Sequence, residues 1–87
     1  MFKLSYEPAK RLRTLAERDV DFEEAREVFE GRVIEWEDQR FDYGEKRILC
    51  FGYLRGRAVV IGYVLRGDTR HIFSMRKANE REQKKFG

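Results

Sequence analysis

The segment RHIFSMRKANEREQ, residues 70–83, brings together residue types that could bind a phosphate group and act on it. It contains the chain's single histidine, His71, followed by Ser74 and then by the basic pair Arg76 and Lys77. Histidine can take up or release a proton near neutral pH, and the planar arginine side chain matches the oxygens of a phosphate. The segment therefore predicts either an anion site for a phosphate backbone or, more simply, a last strand followed by a solvated C-terminal helix.

The positive charge of the chain is concentrated in its second half. Residues 1–45 contain 8 Lys and Arg against 13 Asp and Glu, a net charge of −5, whereas residues 46–87 contain 11 against 3, a net charge of +8. An acidic half and a basic half suggest two different partners, or one partner and an anionic substrate. Folding could instead interleave the two halves, and the asymmetry would then not form separate surfaces.

The composition excludes several classes of protein. The 87 residues are 41% hydrophobic, which is enough for the modest core of a single domain spanning residues 1–87. No apolar run approaches the roughly 18 residues of a membrane span and no signal-peptide core is present, so we expect a cytoplasmic protein without membrane contact. One histidine and one cysteine, Cys50, cannot supply a zinc site or an internal disulfide. We therefore expect no metal and no cofactor, although the acidic residues leave a weak cation site open.

Two N-terminal helices are predicted from apolar spacing and capping residues. The first has Pro8 in its first turn, where the missing N–H costs nothing. The second begins at Asp21, a predicted N-cap with Glu24 three residues later in a capping-box pattern. The predicted apolar stripe of the first helix is Ala9, Leu12, Leu15 and Ala16, and the buried side of the second is Phe22, Ala25, Val28 and Phe29.

The remaining segments have the alternation and the turn residues of β-strands. A short first strand is predicted within residues 2–5 and another within residues 32–37, before two hairpins that turn at Arg55-Gly56 and at Gly67-Asp68. Residues 78–86 close the chain as a helix. The predicted order β-α-α-β-β-β-β-α is an α+β fold, in which two N-terminal helices and a C-terminal helix pack on a small antiparallel sheet.

Two-residue turns would also determine which side chains share a sheet face. Pairing Leu54 with Arg57 and Arg66 with Thr69 places Arg47, Val64 and His71 side by side, whereas an error of one residue would separate them. The predicted first face carries Arg47, Leu49, Phe51, Val60, Gly62, Val64, His71, Phe73 and Met75. The predicted second face carries Cys50, Val59, Ile61, Tyr63, Arg70, Ile72, Ser74 and Arg76.

Five stretches of the chain, in order, resemble the BrnT family. They are YEPAK (6–10), DFEEAREVF (21–29), GEKR (44–47), VVIGYVLRGD (59–68) and IFSMRKANERE (72–82). The resemblance implies a RelE-like fold and the activity of a ribonuclease toxin of a type II toxin–antitoxin system, which inhibits translation. It also implies a BrnA-like antitoxin partner with a ribbon-helix-helix DNA-binding part. The complex would repress its own operon, so that operator DNA is reached only through the antitoxin.

The resemblance further implies site residues, and the chain departs from the family at three positions. The matching residues are Glu45 and Arg47 of GEKR, Arg66 before the turn glycine, and Ser74, Arg76 and Lys77 of FSMRKA. The departures are His71, where the family often has arginine, Leu65, where it often has an acidic residue, and Phe86, where many members have tyrosine. Because phenylalanine has no hydroxyl, a terminal tyrosine cannot take part in proton transfer here.

A ribonuclease that uses no metal takes the substrate's own 2′-hydroxyl as nucleophile. It then needs a base, a group that neutralises the phosphorane, and an acid for the departing 5′-oxygen. Glu45 or His71 could be the base and His71 could instead be the acid, while Arg47 and Arg66 would hold the phosphate.

The predicted RNA-binding residues lie in the last strand and the C-terminal helix. They are Ser74, Arg76, Lys77 and Arg81, which would contact the RNA backbone. A structural role without RNA is the simpler interpretation for the three basic residues, because they could equally belong to a solvated helix end. His71 could be a strand residue satisfied by a backbone group. Tyr43 could stack on a base or cover the core, and Trp36 is expected in the core. The alternative to a ribonuclease is therefore a non-catalytic module that binds RNA or a protein.

Overall fold

The computed structural model describes residues 2–87, which form five strands and three α-helices in the predicted order. A short 3-10 turn, Phe22–Glu24, precedes the second helix. The strands are β1 Lys3–Ser5, β2 Ile34–Glu37, β3 Arg47–Leu54, β4 Arg57–Arg66 and β5 Thr69–Lys77; the helices are α1 Pro8–Arg18, α2 Ala25–Glu30 and α3 Glu80–Phe86. The predicted α+β class is confirmed.

The five strands form one sheet in the order β1-β5-β4-β3-β2. Both predicted two-residue turns are present, and in the first of them Arg55 and Gly56 adopt φ angles of 51° and 84°. This left-handed pair matches the right-handed twist of the flanking strands. The sheet is mixed where an antiparallel one was predicted, because β1 pairs in parallel with β5 at the far edge.

The two faces of the sheet are covered differently. On one face, called the helical face here, the buried side of α2 packs as predicted on an apolar core, and that core includes Cys50, Ile61 and Met75. On the other, called the open face, α3 packs Phe86 against Trp36 and covers only part of the sheet. Burial raises the pKa of the Cys50 thiol to about 12, so this cysteine is an inert core residue as predicted.

A β-bulge in β5 corrects the predicted distribution of side chains between the faces. Val64 pairs with His71 as expected, but beyond Tyr63 the register shifts and Gly62 pairs with Ser74. Phe73 is the extra residue. The prediction that placed Ser74 and Arg76 on the helical face and Met75 on the open face was therefore wrong. An inserted residue reverses every later side chain, because strand side chains alternate with a period of two.

The predicted apolar stripe of α1 was also wrong. Leu12 and Leu15 are 60% and 38% exposed, whereas Thr14 on the inward side is buried. On the same side of α1 as Thr14, Arg11 Nε and Nη2 donate to the Asp21 carboxylate at 2.7 and 3.0 Å. Asp21 is an N-cap as predicted and accepts from the Glu23 amide, but it starts a 3-10 turn and not the predicted capping box.

The acidic and basic halves of the chain are partly interleaved in the folded protein. Arg55, in the turn between β3 and β4, pairs with Glu24 at 2.6 Å and with Glu27 at 2.8 Å. Asp19 and Arg57 form a further pair at 3.7 Å. These pairs neutralise part of the positive charge of residues 46–87 on the helical side, where Arg70 lies against the rings of Phe29 and Tyr63. Of the helices within residues 2–87, none is long and apolar enough to cross a membrane.

Candidate active site

The residues predicted to act on a phosphate meet on the open face. Arg47 of β3 pairs with Val64 of β4, which pairs with His71 of β5, so the predicted row of three residues is confirmed. They line a cavity of about 130 Å³, called the His71 cavity here. Its lining is Glu7, Lys10, Glu45, Arg47, Val64, Arg66, His71, Ile72 and Phe73. All four residues predicted to be catalytic, Glu45, Arg47, Arg66 and His71, are among them.

Arg47 is held between two aromatic rings. The carbon of its guanidinium lies 4.0 Å from the Tyr43 ring centroid and 4.5 Å from that of Phe73. Its Nε atom is buried and has no hydrogen-bond partner among residues 2–87, and no salt bridge in that range involves it. The rings attract the cation but leave its donors unused. An arginine arranged in this way can accept an anion without breaking an existing ion pair.

The bulge in β5 and a glycine opposite it bring Phe73 to this position. A Cβ atom built on Gly62 would lie 2.5 Å from Phe73 Cζ, so the ring occupies the space that any other residue at position 62 would fill. Bulges often redirect a side chain beside a functional site. The bulge also turns Ser74 and Arg76 toward the open face, so they share that face with Arg47.

The histidine is held by the first strand. His71 Nδ1 lies 2.8 Å from Ser5 Oγ, and this contact exists because β1 pairs in parallel with β5 and sets Ser5 opposite His71. The alternative prediction for His71 was a hydrogen bond to a backbone group. Its partner is instead the Ser5 hydroxyl, which can act as donor or acceptor. The ring is therefore oriented by one nitrogen, and Nε2 is left for a substrate.

Glu45 and Arg66 face each other at the mouth of the His71 cavity. Glu45 Oε1 and Arg66 Nη2 are 3.6 Å apart, and the two side chains are 45% and 55% exposed. This distance exceeds that of a good hydrogen bond, and exposed pairs of this kind contribute little to stability. Both groups can therefore turn toward a bound substrate at small cost.

The predicted RNA-binding residues divide into two groups. Ser74 and Arg76 line a second cavity, called the Trp36 cavity here, which also contains Arg47 and Phe73. Lys77 and Arg81 are exposed and line neither cavity. The full lining of the Trp36 cavity is Trp36, Glu37, Asp38, Gln39, Arg40, Tyr43, Arg47, Leu49, Phe73, Ser74, Arg76 and Glu82.

Arg76 is already paired, unlike Arg47. Its Nη1 and Nη2 donate to the two oxygens of Glu82 at 2.7 and 2.8 Å. The hydrogen bonds from Arg76 lower the pKa of Glu82, and those to Glu82 raise the pKa of Arg76. Glu82 is held in turn by a capping box with Asn79 at the start of α3.

Four residues of the His71 cavity region were missed by the sequence argument. Lys10 and Glu7 reach it from the start of α1, and Lys10 Nζ lies 6.0 Å from the Phe73 ring centroid. Ser5 and Phe73 hold the catalytic candidates in place. The basic residues of α1 gave a usable signal, since Lys10 lies outside the predicted stripe; nothing in the sequence near Phe73 marks the bulge.

The open face thus combines one free guanidinium, a second that is loosely paired, a carboxylate and an oriented imidazole. This set can hold a phosphate and move protons beside it. Within residues 2–87 no group of three or more His, Cys, Asp or Glu side chains is close enough to hold a metal ion.

The chain was also compared with known proteins. A family described as the ribonuclease toxin BrnT of type II toxin–antitoxin systems matches residues 6–82. The matched range includes every residue of the His71 cavity as well as the bulge in β5. No curated protein matches the chain. The family match favours a ribonuclease over a non-catalytic binding module.

Proposed function

Because the chain belongs to the BrnT family, the ribonuclease toxins of type II toxin–antitoxin systems, we propose that it cleaves RNA in the His71 cavity without a metal ion. In this mechanism the 2′-hydroxyl next to the cut attacks the phosphorus and the 5′-oxygen leaves. The products are a 2′,3′-cyclic phosphate and a free 5′-hydroxyl. Cleavage of RNA in this way would inhibit translation.

The observation that carries this proposal is the unpaired guanidinium of Arg47. A positive group with a buried donor and no partner among residues 2–87 is costly, so its position favours a site whose anion comes from the substrate. The planar fork of arginine suits two oxygens of a phosphorane, and the rings of Tyr43 and Phe73 hold it in one orientation. Charge stabilisation by a group already in position is commonly the largest catalytic term.

Proton transfer is assigned to His71 and Glu45, with their order left open. His71 has one nitrogen held by Ser5 and therefore offers the other to the substrate. Glu45 lies across the same cavity and is free to accept the proton of the 2′-hydroxyl. Arg66, paired with Glu45 at 3.6 Å, supplies a second positive charge close to the phosphate.

We assign the binding of the RNA on either side of the cut to the predicted RNA-binding residues and to basic residues of α1. Ser74 and Arg76 extend the site into the Trp36 cavity, and Lys77 and Arg81 continue the positive surface toward α3. On the other side Lys10 joins the His71 cavity to a groove along α1 that also contains Arg13, Arg18 and Phe73. Such contacts neutralise phosphates without reading sequence.

The experiment that tests the proposal is cleavage of single-stranded RNA by the purified chain, with and without EDTA. The proposal predicts equal rates in the two conditions and products that end in a 2′,3′-cyclic phosphate and a 5′-hydroxyl. Loss of cleavage in EDTA that Mg²⁺ restores, or products with a 3′-hydroxyl and a 5′-phosphate, would show that a different mechanism operates.

A protein antitoxin is the partner of a type II toxin, and we propose that it is BrnA-like and covers part of the open face. The complex would then silence cleavage by blocking the cavity that contains Arg47. Adding the antitoxin in equal amount should abolish RNA cleavage and RNA binding together. An antitoxin that binds tightly and leaves cleavage intact would overturn steric blocking. Docking on the acidic half would then be tested by reversing the charges of Glu23 and Glu27, both exposed.

A further inference from the structure

The Trp36 cavity adjoins the His71 cavity and is considerably larger. Its volume is about 610 Å³, against about 130 Å³ for the His71 cavity, and it falls within the roughly 300–1,000 Å³ of typical ligand sites. Arg47 and Phe73 line both, so the two cavities meet at the guanidinium. A phosphate bound by Arg47 in the His71 cavity therefore has its neighbouring nucleotide beside the Trp36 cavity.

The apolar part of this cavity consists of aromatic rings in fixed positions. Trp36 stacks on Phe86 of α3 with ring centroids 4.7 Å apart and an angle of 20° between the rings, so α3 holds the indole against the sheet. Tyr43 and Phe73 lie on either side of Arg47. Aromatic rings and arginine planes are the surfaces on which proteins stack single nucleobases. Trp36 was predicted from the sequence to be a core residue. Its position in the cavity wall also allows it to stack on a base.

The polar wall of the cavity is a rigid loop after β2. The Asp38 side chain is 3% exposed, and it accepts from Arg40 Nε and Nη2 at 2.9 Å each and from the Tyr43 hydroxyl at 3.2 Å. These hydrogen bonds, chiefly those from Arg40, hold the pKa of Asp38 well below its usual range. One carboxylate therefore fixes both the loop and the ring that stacks on Arg47.

The rim of the cavity carries both charges and groups that can recognise a base. Arg40, Arg47 and Arg76 line it together with Glu37, Asp38 and Glu82, and Arg40 and Arg76 are each paired with a carboxylate. Gln39 and Ser74 line the same cavity, and an amide and a hydroxyl can each donate and accept a hydrogen bond. Stacking surfaces, the guanidinium of Arg47 and adaptable polar groups together fit a nucleotide.

We propose that the Trp36 cavity binds the unpaired nucleobase next to the scissile phosphate. The protein then cleaves single-stranded RNA, and its sequence preference is set in this cavity by Gln39 and Ser74. A base within a duplex is excluded because it is stacked on its neighbours and its edge is occupied by its partner. This inference rests on the proposed function, since Arg47 is what places the cut beside the cavity.

The test compares RNAs that lack one base. After the cut is mapped in a short single-stranded RNA, two further RNAs carry an abasic ribonucleotide on one side of the cut or on the other, with the 2′-hydroxyls and phosphates intact. Since stacking of one base is worth about 1–3 kcal/mol, one of these two RNAs should be cut roughly 5- to 150-fold less efficiently than the parent. Enclosing the cut in a duplex should also protect it.

Variants connect that loss to the cavity. Trp36→Leu should lower kcat/KM on the parent RNA by a similar factor and have little further effect on the sensitive abasic RNA. Gln39→Ala changes an exposed loop residue, so it should leave the fold intact and alter the preference among the four bases at that position only. Tyr53→Leu is the aromatic control, because Tyr53 is half exposed at the other end of β3 and lines neither cavity.

Two results would overturn the inference. One is that both abasic RNAs are cut as efficiently as the parent; the other is that Trp36→Leu and Gln39→Ala act equally on the parent and abasic RNAs. These outcomes do not depend on the proposed cleavage mechanism. That mechanism is tested separately, with the wild-type protein and an RNA that has a 2′-deoxy nucleotide at the cut. Dissociation constants of the same RNAs provide the same comparison for binding alone.

Discussion

Two arginines on the open face illustrate how differently the same residue type can be used. Arg47 lies between two rings with a buried donor and no acceptor, whereas Arg76, which lines the same Trp36 cavity, is tied to Glu82 by two hydrogen bonds. The sequence predicted a catalytic role for Arg47 and RNA binding for Arg76, which stands in a basic cluster. The number of positive residues in a segment therefore does not locate an anion site.

The difference arises from what surrounds each side chain. Glu82 is the third residue of α3, and the capping box that starts the helix fixes its carboxylate next to Arg76. No carboxylate is placed in this way beside Arg47, since Glu45 faces Arg66. The Arg76 pair connects α3 to the sheet, and the proposed function assigns the unpaired Arg47 to the substrate.

Arg47→Ala should have the largest effect on cleavage. An arginine that neutralises charge on a transferring phosphoryl group is worth roughly 10³-fold or more in rate, so kcat should fall by that order while RNA affinity changes much less. Single-turnover cleavage and binding of the same RNA separate the two effects. Arg32→Ala is the matched control, because Arg32 is exposed and lines neither cavity. A variant at position 47 that folds and cuts normally would show that the reaction occurs elsewhere.

His71→Ala should reduce cleavage by roughly 10²-fold, the lower end of what general acid–base catalysis contributes. Binding should be nearly unchanged, since proton transfer contributes to the reaction and not to the binding of the RNA. The measurement is again kcat against Kd, with thermal unfolding to confirm the fold. Equal losses in kcat and in affinity would mean that His71 binds the RNA and transfers no proton.

Gly62→Ala tests whether the bulge positions Arg47. The added Cβ would lie 2.5 Å from Phe73 Cζ, and a ring can turn aside, so the protein should fold with Phe73 displaced. Loss of one of the two rings around Arg47 should cost about tenfold in cleavage, because small misplacements of catalytic groups are expensive. The matched control is Gly56→Asn, a turn position where a Cβ meets no atom within 4 Å and asparagine tolerates the positive φ. Full activity of Gly62→Ala would show that Phe73 is dispensable.

Arg76→Ala with Lys77→Ala should have the smallest effect, confined to binding. Removing two free cations would lower the slope of log K against log salt by about two phosphate contacts. Because Arg76 is largely neutralised by Glu82, we expect the slope to fall by about one contact. The comparison with Arg47 is sharpened by Glu82→Gln, which releases Arg76 and should make the salt dependence steeper. No change in either variant would place the RNA away from the end of β5.

The order of the elements and the strand pairing next to both hairpin turns could be predicted from the sequence because they depend on local signals. Arg55-Gly56 and Gly67-Asp68 are turns that set the pairing of the strands beside them, and this pairing was enough to bring Arg47 and His71 together. The buried side of α2 followed from its apolar spacing in the same way.

The parts that could not be predicted depend on contacts between distant segments. The bulge at Phe73 requires Gly62 on another strand, and the partner of His71 comes from Ser5, 66 residues away. The inward side of α1 likewise carries Thr14 and an ion pair from Arg11 to Asp21, and not the leucines of the helix. Periodicity describes one segment at a time, so it cannot show which face a second segment will cover.

The most direct test of the central claim is cleavage of an RNA with a single 2′-deoxy nucleotide at the cut, in EDTA, beside the all-ribose RNA. The deoxy substrate keeps its phosphates and bases, so it should bind the wild-type protein with nearly the same Kd. Without the nucleophile it should not be cut at that position, while the all-ribose RNA is cut normally. Cleavage of the deoxy substrate at the same rate would contradict the mechanism assigned to Arg47 and His71.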